Sequence, residues 1–294
     1  MSGPAPFLRL KTLSVALGLA GAVLISGCAS RPTPEVPVQR FESAMRTGAD
    51  KLAAGDLPQA ATAFAKAEQV AMLYDRRAMR LQALFALGSV ASLAEQGEVS
   101  RQAYAQALAE AQALGDAHSL GIARAGLADA LRRAGDLDGA TQQYTLALAP
   151  EALRADSAER LQATMGWALV RHARGATGAA LETLNSLEMQ LRASASPVLP
   201  AVLVNQAVVL RDQGDVQAAL RKTQEALQLD RQQAHPALLA KDLELLGGLQ
   251  RASQDMAAAR DSWERALRIS QATGQTALHK RLTQALADLP KTGN

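Results

Sequence analysis

The sequence predicts an all-α fold built as a linear array of helix pairs. Three observations carry that prediction. The apolar share is 48% while aromatic residues make up only 3%, so Ala and Leu supply most of the apolar surface, a mix that suits packed helices better than strands. One pattern recurs along the chain: "AAGDLPQAATAFAKAEQ" from Ala53, "RAGDLDGATQQYTLALA" from Arg133 and "DQGDVQAALRKTQEALQ" from Asp212. The length of 294 residues exceeds one ordinary core and suits either two domains or an array of repeats.

The first element is a targeting segment, residues 1–27. Met1 to Lys11 holds Arg9 and Lys11 and no acid, and the stretch from Thr12 to Ile25 is uncharged. That stretch is shorter than the roughly 20 apolar residues a transmembrane helix needs. With the small residues that follow it has the form of a secretory signal peptide. Cys28 is the only cysteine in the chain, so neither an internal disulfide nor a thiolate metal site is available to it. Ile25-Ser26-Gly27-Cys28 resembles the lipobox of bacterial lipoproteins. The resemblance implies cleavage before Cys28, a diacylglyceryl thioether on its sulfur and a fatty acyl chain, such as palmitate, on its amine. Three acyl chains exceed the two signals that stable anchoring takes. Ala29, where an Asp would mark retention at the inner membrane, implies an outer-membrane anchor facing the periplasm.

Residues 28–39 read as a tether after the lipidated cysteine. Pro32, Pro34 and Pro37 favour extended chain. From about residue 40 to 290 the chain reads as amphipathic helices, and residues 291–294 as a disordered tail.

The repeat has a physical logic. Gly55, Gly135 and Gly214 end a helix in the left-handed conformation that glycine tolerates. Asp56, Asp136 and Asp215 then cap the next helix, and Pro58 falls in a first turn, where its missing N–H costs little. Ala60, Ala140 and Ala219 mark close helix approaches, and Phe64 and Tyr144, four residues on, share that face. Weaker copies run from Gly175 to Ala180 and Leu184, from Gln254-Asp255 to Ala259, Trp263 and Ala266, and from Gly97 to Ala103 with one extra loop residue. Turns are thus expected at 55, 97, 135, 175, 214 and 254, with Gln275 to Leu289 as a polar closing helix.

These units resemble the tetratricopeptide repeat (TPR). Ala128, Ala140, Tyr144 and Ala147 fit one unit, and Ala207, Ala219 and Ala226 another. The resemblance covers about residues 40 to 290. It departs from the family in period, which is near 40 where 34 is usual. It implies an α-solenoid of about six TPR-like helix-turn-helix pairs with a C-terminal capping helix, whose concave wall binds partner proteins.

Composition and motifs bear on function by exclusion. After residue 27 the chain holds 29 basic and 28 acidic residues, a balance that argues against a nucleic-acid partner. His118, His172, His235 and His279 have no metal-ligand spacing, and neither a phosphate loop nor a nucleophile-elbow motif is present, so no cofactor, metal or catalytic residue is expected. Counting back three from the turns gives Arg132, His172, Arg211 and Arg251. This expected basic ladder could receive acidic side chains or a C-terminal carboxylate, or could simply complement helix C-termini. Asn205 on the same wall could grip a peptide backbone. The reading is therefore a lipid-anchored periplasmic scaffold, not an enzyme, with a pilotin-like role in pilus, secretion or envelope assembly. A self-associating scaffold and an envelope enzyme remain as alternatives.

Overall fold

A computed structural model describes residues 35–290, and from Glu35 onward the chain is a compact unit of its own. The leader, the lipobox residues Ile25, Ser26 and Gly27, Cys28 and the tail 291–294 lie outside the described residues.

Thirteen helices and no strand occur among the described residues. They form six hairpins and a closing helix: α1 (Val36–Ala53) with α2 (Leu57–Leu73), α3 (Arg77–Leu93) with α4 (Gly97–Leu114), α5 (Ala117–Arg133) with α6 (Leu137–Ala147), α7 (Ala158–Ala173) with α8 (Thr177–Ala193), α9 (Leu199–Asp212) with α10 (Val216–Gln233), α11 (Pro236–Ala252) with α12 (Met256–Ala272), and α13 (Thr276–Ala287). The expected caps are present. Asp56, Asp136 and Asp215 accept from the backbone N–H of Gln59, Gly139 and Ala218 at 3.1, 2.8 and 3.0 Å, each bond contributing about 1 kcal/mol.

Two boundaries differ from the sequence reading. Helix α1 begins at Val36, inside the stretch assigned to the tether, because Pro37 falls in the first turn, where a helix has no use for its N–H. In the second pair the left-handed residue is Glu95, not Gly97, which is already helical. Ser100 and Tyr104 then take the small and large positions, and Ala103 is buried beside them. With Glu95 in place the turns fall at 55, 95, 135, 175, 214 and 254, so the intervals are 40, 40, 40, 39 and 40 residues.

Packing follows that period. On four of the second helices a ring enters a gap left by glycine on a first helix. Phe64 lies against Gly48, Tyr104 against both Gly88 and Gly126, Tyr144 against Gly166, and Trp263 against Gly247. Tyr104 and Tyr144 each bridge from their own pair to the first helix of the next. Ala128, Ala140, Ala147, Ala207, Ala219 and Ala226 are fully buried, as the repeat pattern requires.

One second helix is short. Pro150 cannot continue α6, and irregular chain from Leu148 to Ser157 replaces its last turns. The Arg160 guanidinium holds this loop by donating to the carbonyls of Leu148, Ala149 and Leu153 at 2.9, 3.4 and 3.1 Å.

The two ends of the array touch. Pro236 packs over Gly55, and Pro58 over Gly274. Leu57 shares a buried cluster with Ala237. The Gln275 side-chain amide donates to the carbonyls of Ala237 at 3.1 Å and Leu93 at 3.5 Å. Arg281 pairs with Glu95 and also with Glu244 at 2.8 Å, and Lys241 lies 3.4 Å from Glu95.

The ring-in-gap packing makes a prediction in which two effects oppose. Gly126→Ala gains about 1 kcal/mol of helix propensity but drives a methyl group into the Tyr104 ring, an overpacking cost of about 1–3 kcal/mol. Its midpoint in guanidinium should fall. Gly248→Ala meets nothing within 4 Å, and its midpoint should rise.

Candidate partner-binding groove

Consecutive first helices touch one another from α1 through α3, α5 and α7 to α9, while consecutive second helices have no comparable contact. A stack that crowds on one side and splays on the other is curved, with the crowded side inside. The first helices therefore form the concave wall, and the contacts between the first and last pairs bound it.

The four ladder residues all lie near the ends of first helices, as the spacing predicts. None of them is a bare cation. Arg132 pairs with Asp129 at 2.7 Å and its side chain is 21% exposed. His172 bonds Thr177 through Nδ1 and Asp212 through Nε2, both at 3.0 Å. Arg211 pairs with Asp212 at 2.8 Å. Arg251 lies over the Trp263 ring, 5.4 Å from its centroid, an arrangement that contributes about 0.5–1 kcal/mol at an exposed site. Asn205 is half-buried on α9, and no hydrogen bond to it is found among the described residues.

The acids between these cations were missed in the sequence. Burial alone would push the Asp129 carboxyl up, but Arg133 and Arg132 together overcome it and hold it below its ordinary value. Asp212 behaves likewise through His172 and Arg211. The Asp129–Arg132 spacing of three residues is a readable helix pair. The Asp212–His172 bond joins residues 40 apart and had no local signal.

Charge also reaches across the interior. Burial pushes the Lys241 ammonium down, Glu95 opposes that, and Arg133 on α5 and Arg281 on α13 push it down further. Arg133 belongs to the third pair and Lys241 to the sixth, so the concave wall folds back closely enough for its two sides to sense each other's charge.

A second perturbed group lies away from the wall. Asp230 on α10 and Asp242 on α11 are each 3% exposed. Burial pushes the Asp242 carboxyl up to about 9, and Asp230 beside it adds to the shift. The Asp230–Asp242 pair thus holds a proton at neutral pH, and the buried Asp242 Oδ2 has no hydrogen-bond partner among the described residues. Neither residue lines the clefts on α1–α2 or on α13. Among the described residues no group of three or more His, Cys, Asp or Glu is gathered to hold a metal.

No protein-family model matches the chain, and no curated protein matches it. Solved structures do match it. Apo RapI aligns with a TM-score of 0.64 at 9% identity, over 82% of this chain and 86% of RapI. NprR in complex with its cognate peptide NprX aligns at 0.66 and 13% identity, over 86% of this chain and 73% of NprR. Bacillus thuringiensis PlcR in complex with the peptide PapR7 and DNA aligns at 0.62 and 13% identity, over 69% of this chain and 74% of PlcR. At these identities the likeness shows the fold alone. It is a TPR-like α-solenoid, as the sequence resemblance implied.

Two predictions follow from the charges. Arg132→Glu sets a second negative charge beside Asp129, next to the buried Tyr144 ring, and should destabilise the array by about 2–4 kcal/mol. Arg211→Glu, on a 44% exposed side chain, should stay within about 0.5 kcal/mol of the parent; denaturant melts compare them. For Asp242 the folded value lies above the unfolded one, so its contribution to stability is complete below about pH 4 and is lost as pH rises toward about 9. Asp242→Asn should therefore flatten the decline in melting temperature between pH 5 and 9, gaining most over the parent at the alkaline end.

Proposed function

We propose that this chain is a lipid-anchored, periplasm-facing scaffold that holds a partner protein by an extended segment laid along its concave wall. The observation that carries this reading is the wall itself. It is a preformed, polar surface of first helices whose charges alternate from Asp129 and Arg132 to His172, Asp212 and Arg211 and which the array's own ends bound. A surface of that kind suits an extended strand of peptide, which presents side chains and backbone on all sides. Support comes also from the peptides bound by NprR and PlcR in structures of the same fold. Recognition fits the described chemistry better than catalysis, since the strongly raised Asp242 carboxyl is sealed from solvent.

The anchor is Cys28, carrying diacylglyceryl and N-acyl chains, and the membrane is the outer one. No helix among the described residues is long and apolar enough to cross a membrane, so attachment in this reading rests on the lipid. Within the envelope the finer reading is a pilotin-like role in pilus, secretion or envelope assembly, which rests on analogy with lipoproteins of this build.

Site-specific photocrosslinking in the intact envelope tests the groove. A photoreactive residue at Val208 or Arg211 on α9 should capture one defined partner, and the same residue at exposed Gln228 on α10 should not. Equal capture from both places, or none from α9, would remove the groove reading. Cys28→Ser should release the protein to the soluble periplasmic fraction, and retention in the membrane fraction would remove the lipid as sole anchor.

A further inference from the structure

The array has one end face that no preceding helix pair covers, and the chain enters there. Helix α1 starts beside the end of α2, where Arg76 donates to the Glu35 carboxylate at 2.5 Å. Among the described residues nine large apolar side chains are exposed, and four of them, Val36, Met72, Leu73 and Tyr74, lie at this corner at 44–69% exposure. Leu73 continues into a cleft of about 570 Å³ between α1 and α2. The charged residues lining that cleft are Arg40 and Lys66; no acid lines it. Both are exposed, and neither has an ion-pair partner among the described residues.

We propose that this corner is a docking surface for a phospholipid bilayer bearing anionic headgroups. The chemistry fits on both counts. Val36, Met72 and Leu73 offer apolar surface to the acyl boundary, with Tyr74 an amphipathic ring suited to headgroup depth. Arg40 and Lys66 offer unpaired positive charge to lipid phosphates. Position fits as well, and this step rests on the lipid-anchor reading. Cys28 lies seven residues before Glu35, so an extended tether reaches about 22 Å at roughly 3.1 Å per residue. An acylated Cys28 would therefore hold this corner, rather than the opposite end of the α1–α2 hairpin, against the membrane. A second copy of the chain is the poorer occupant. Face-to-face pairing would set Arg40 and Lys66 against their own copies with no acid in the cleft to relieve them.

The test uses the chain from Glu35 onward, which is a compact unit and carries no lipid. It should float with vesicles of phosphatidylethanolamine and phosphatidylglycerol, and much less with phosphatidylcholine alone. The double variants Leu73→Gln/Tyr74→Gln and Arg40→Glu/Lys66→Glu should each lose roughly tenfold or more in vesicle affinity with unchanged melting curves, as exposed positions allow. Absence of flotation, or flotation indifferent to both variants, overturns the proposal. Concentration-dependent dimers that the Leu73→Gln/Tyr74→Gln variant abolishes, without vesicle binding, would assign the corner to a second copy instead. The anchor reading fails separately, by the absence of acyl mass on Cys28 in the full chain.

Discussion

The array depends on how closely each second helix approaches the first helices it packs against, and that approach is set by one side chain per pair. Where the second helix offers a ring, a facing first helix offers glycine: Phe64 meets Gly48, Tyr104 meets Gly88 and Gly126, Tyr144 meets Gly166, and Trp263 meets Gly247. Where the position holds Leu184 or Thr223, the residue equivalent to Gly48 or Gly88 on the first helix is Ala168 or Ala207. Volume is thus exchanged between the two helices of a contact, as a close-packed interior requires. The turns then keep a period of 39–40 residues despite different side chains, and a constant repeat is what a regular curve needs.

The curve matters because its ends meet. Solenoids are ordinarily one-dimensional, with each repeat touching only its neighbours. Here Glu95 reaches Arg281 across 186 residues and Pro236 packs over Gly55, so the two ends, which would otherwise fray first, hold each other. This contact accounts for the one turn of the first four that lacks glycine. Glu95 occupies a left-handed conformation that costs a non-glycine residue about 1 kcal/mol or more. Its side chain, however, binds both Lys241 and Arg281, whose charges outweigh burial and hold its carboxyl below the ordinary value. The loop after α6 obeys the same constraint. Pro150 shortens the helix, yet the flanking turns at Gly135 and Gly175 remain 40 residues apart, so the curve passes through the third pair without a break in register.

Local physics made most of the fold legible in the sequence. Gly-Asp turns, aspartate caps and alanines at close approaches act within one hairpin, and the six pairs and closing helix could be read from them. The reading slipped where a local cue competed with a distant one. Gly97 looked like the turn residue because glycine usually fills it, but the left-handed position had gone to Glu95 to serve a contact with the other end of the chain. Pro37 looked like a helix breaker, but only its distance from the helix start decides that. The groove was half legible. Periodicity placed Arg132, His172, Arg211 and Arg251 at equivalent positions. It was silent on Asp212, whose hydrogen bond to His172 depends on how two successive pairs stack.

Those acids change what the concave wall asks of a ligand. A row of free cations would attract any polyanion, and the near balance of charge after residue 27 would be its only restraint. With Arg132 held by Asp129, and His172 and Arg211 sharing Asp212, an incoming carboxylate must displace an internal acid that is already well placed. Each exchange therefore returns little net free energy. Affinity in such a wall must come from several exchanges made together, or from apolar contact with the half-buried residues of α9 between them, such as Val204 and Val208. That requirement favours a ligand matched in spacing to the 40-residue period over one matched only in charge, and it ties recognition to the same regular stacking that closes the array.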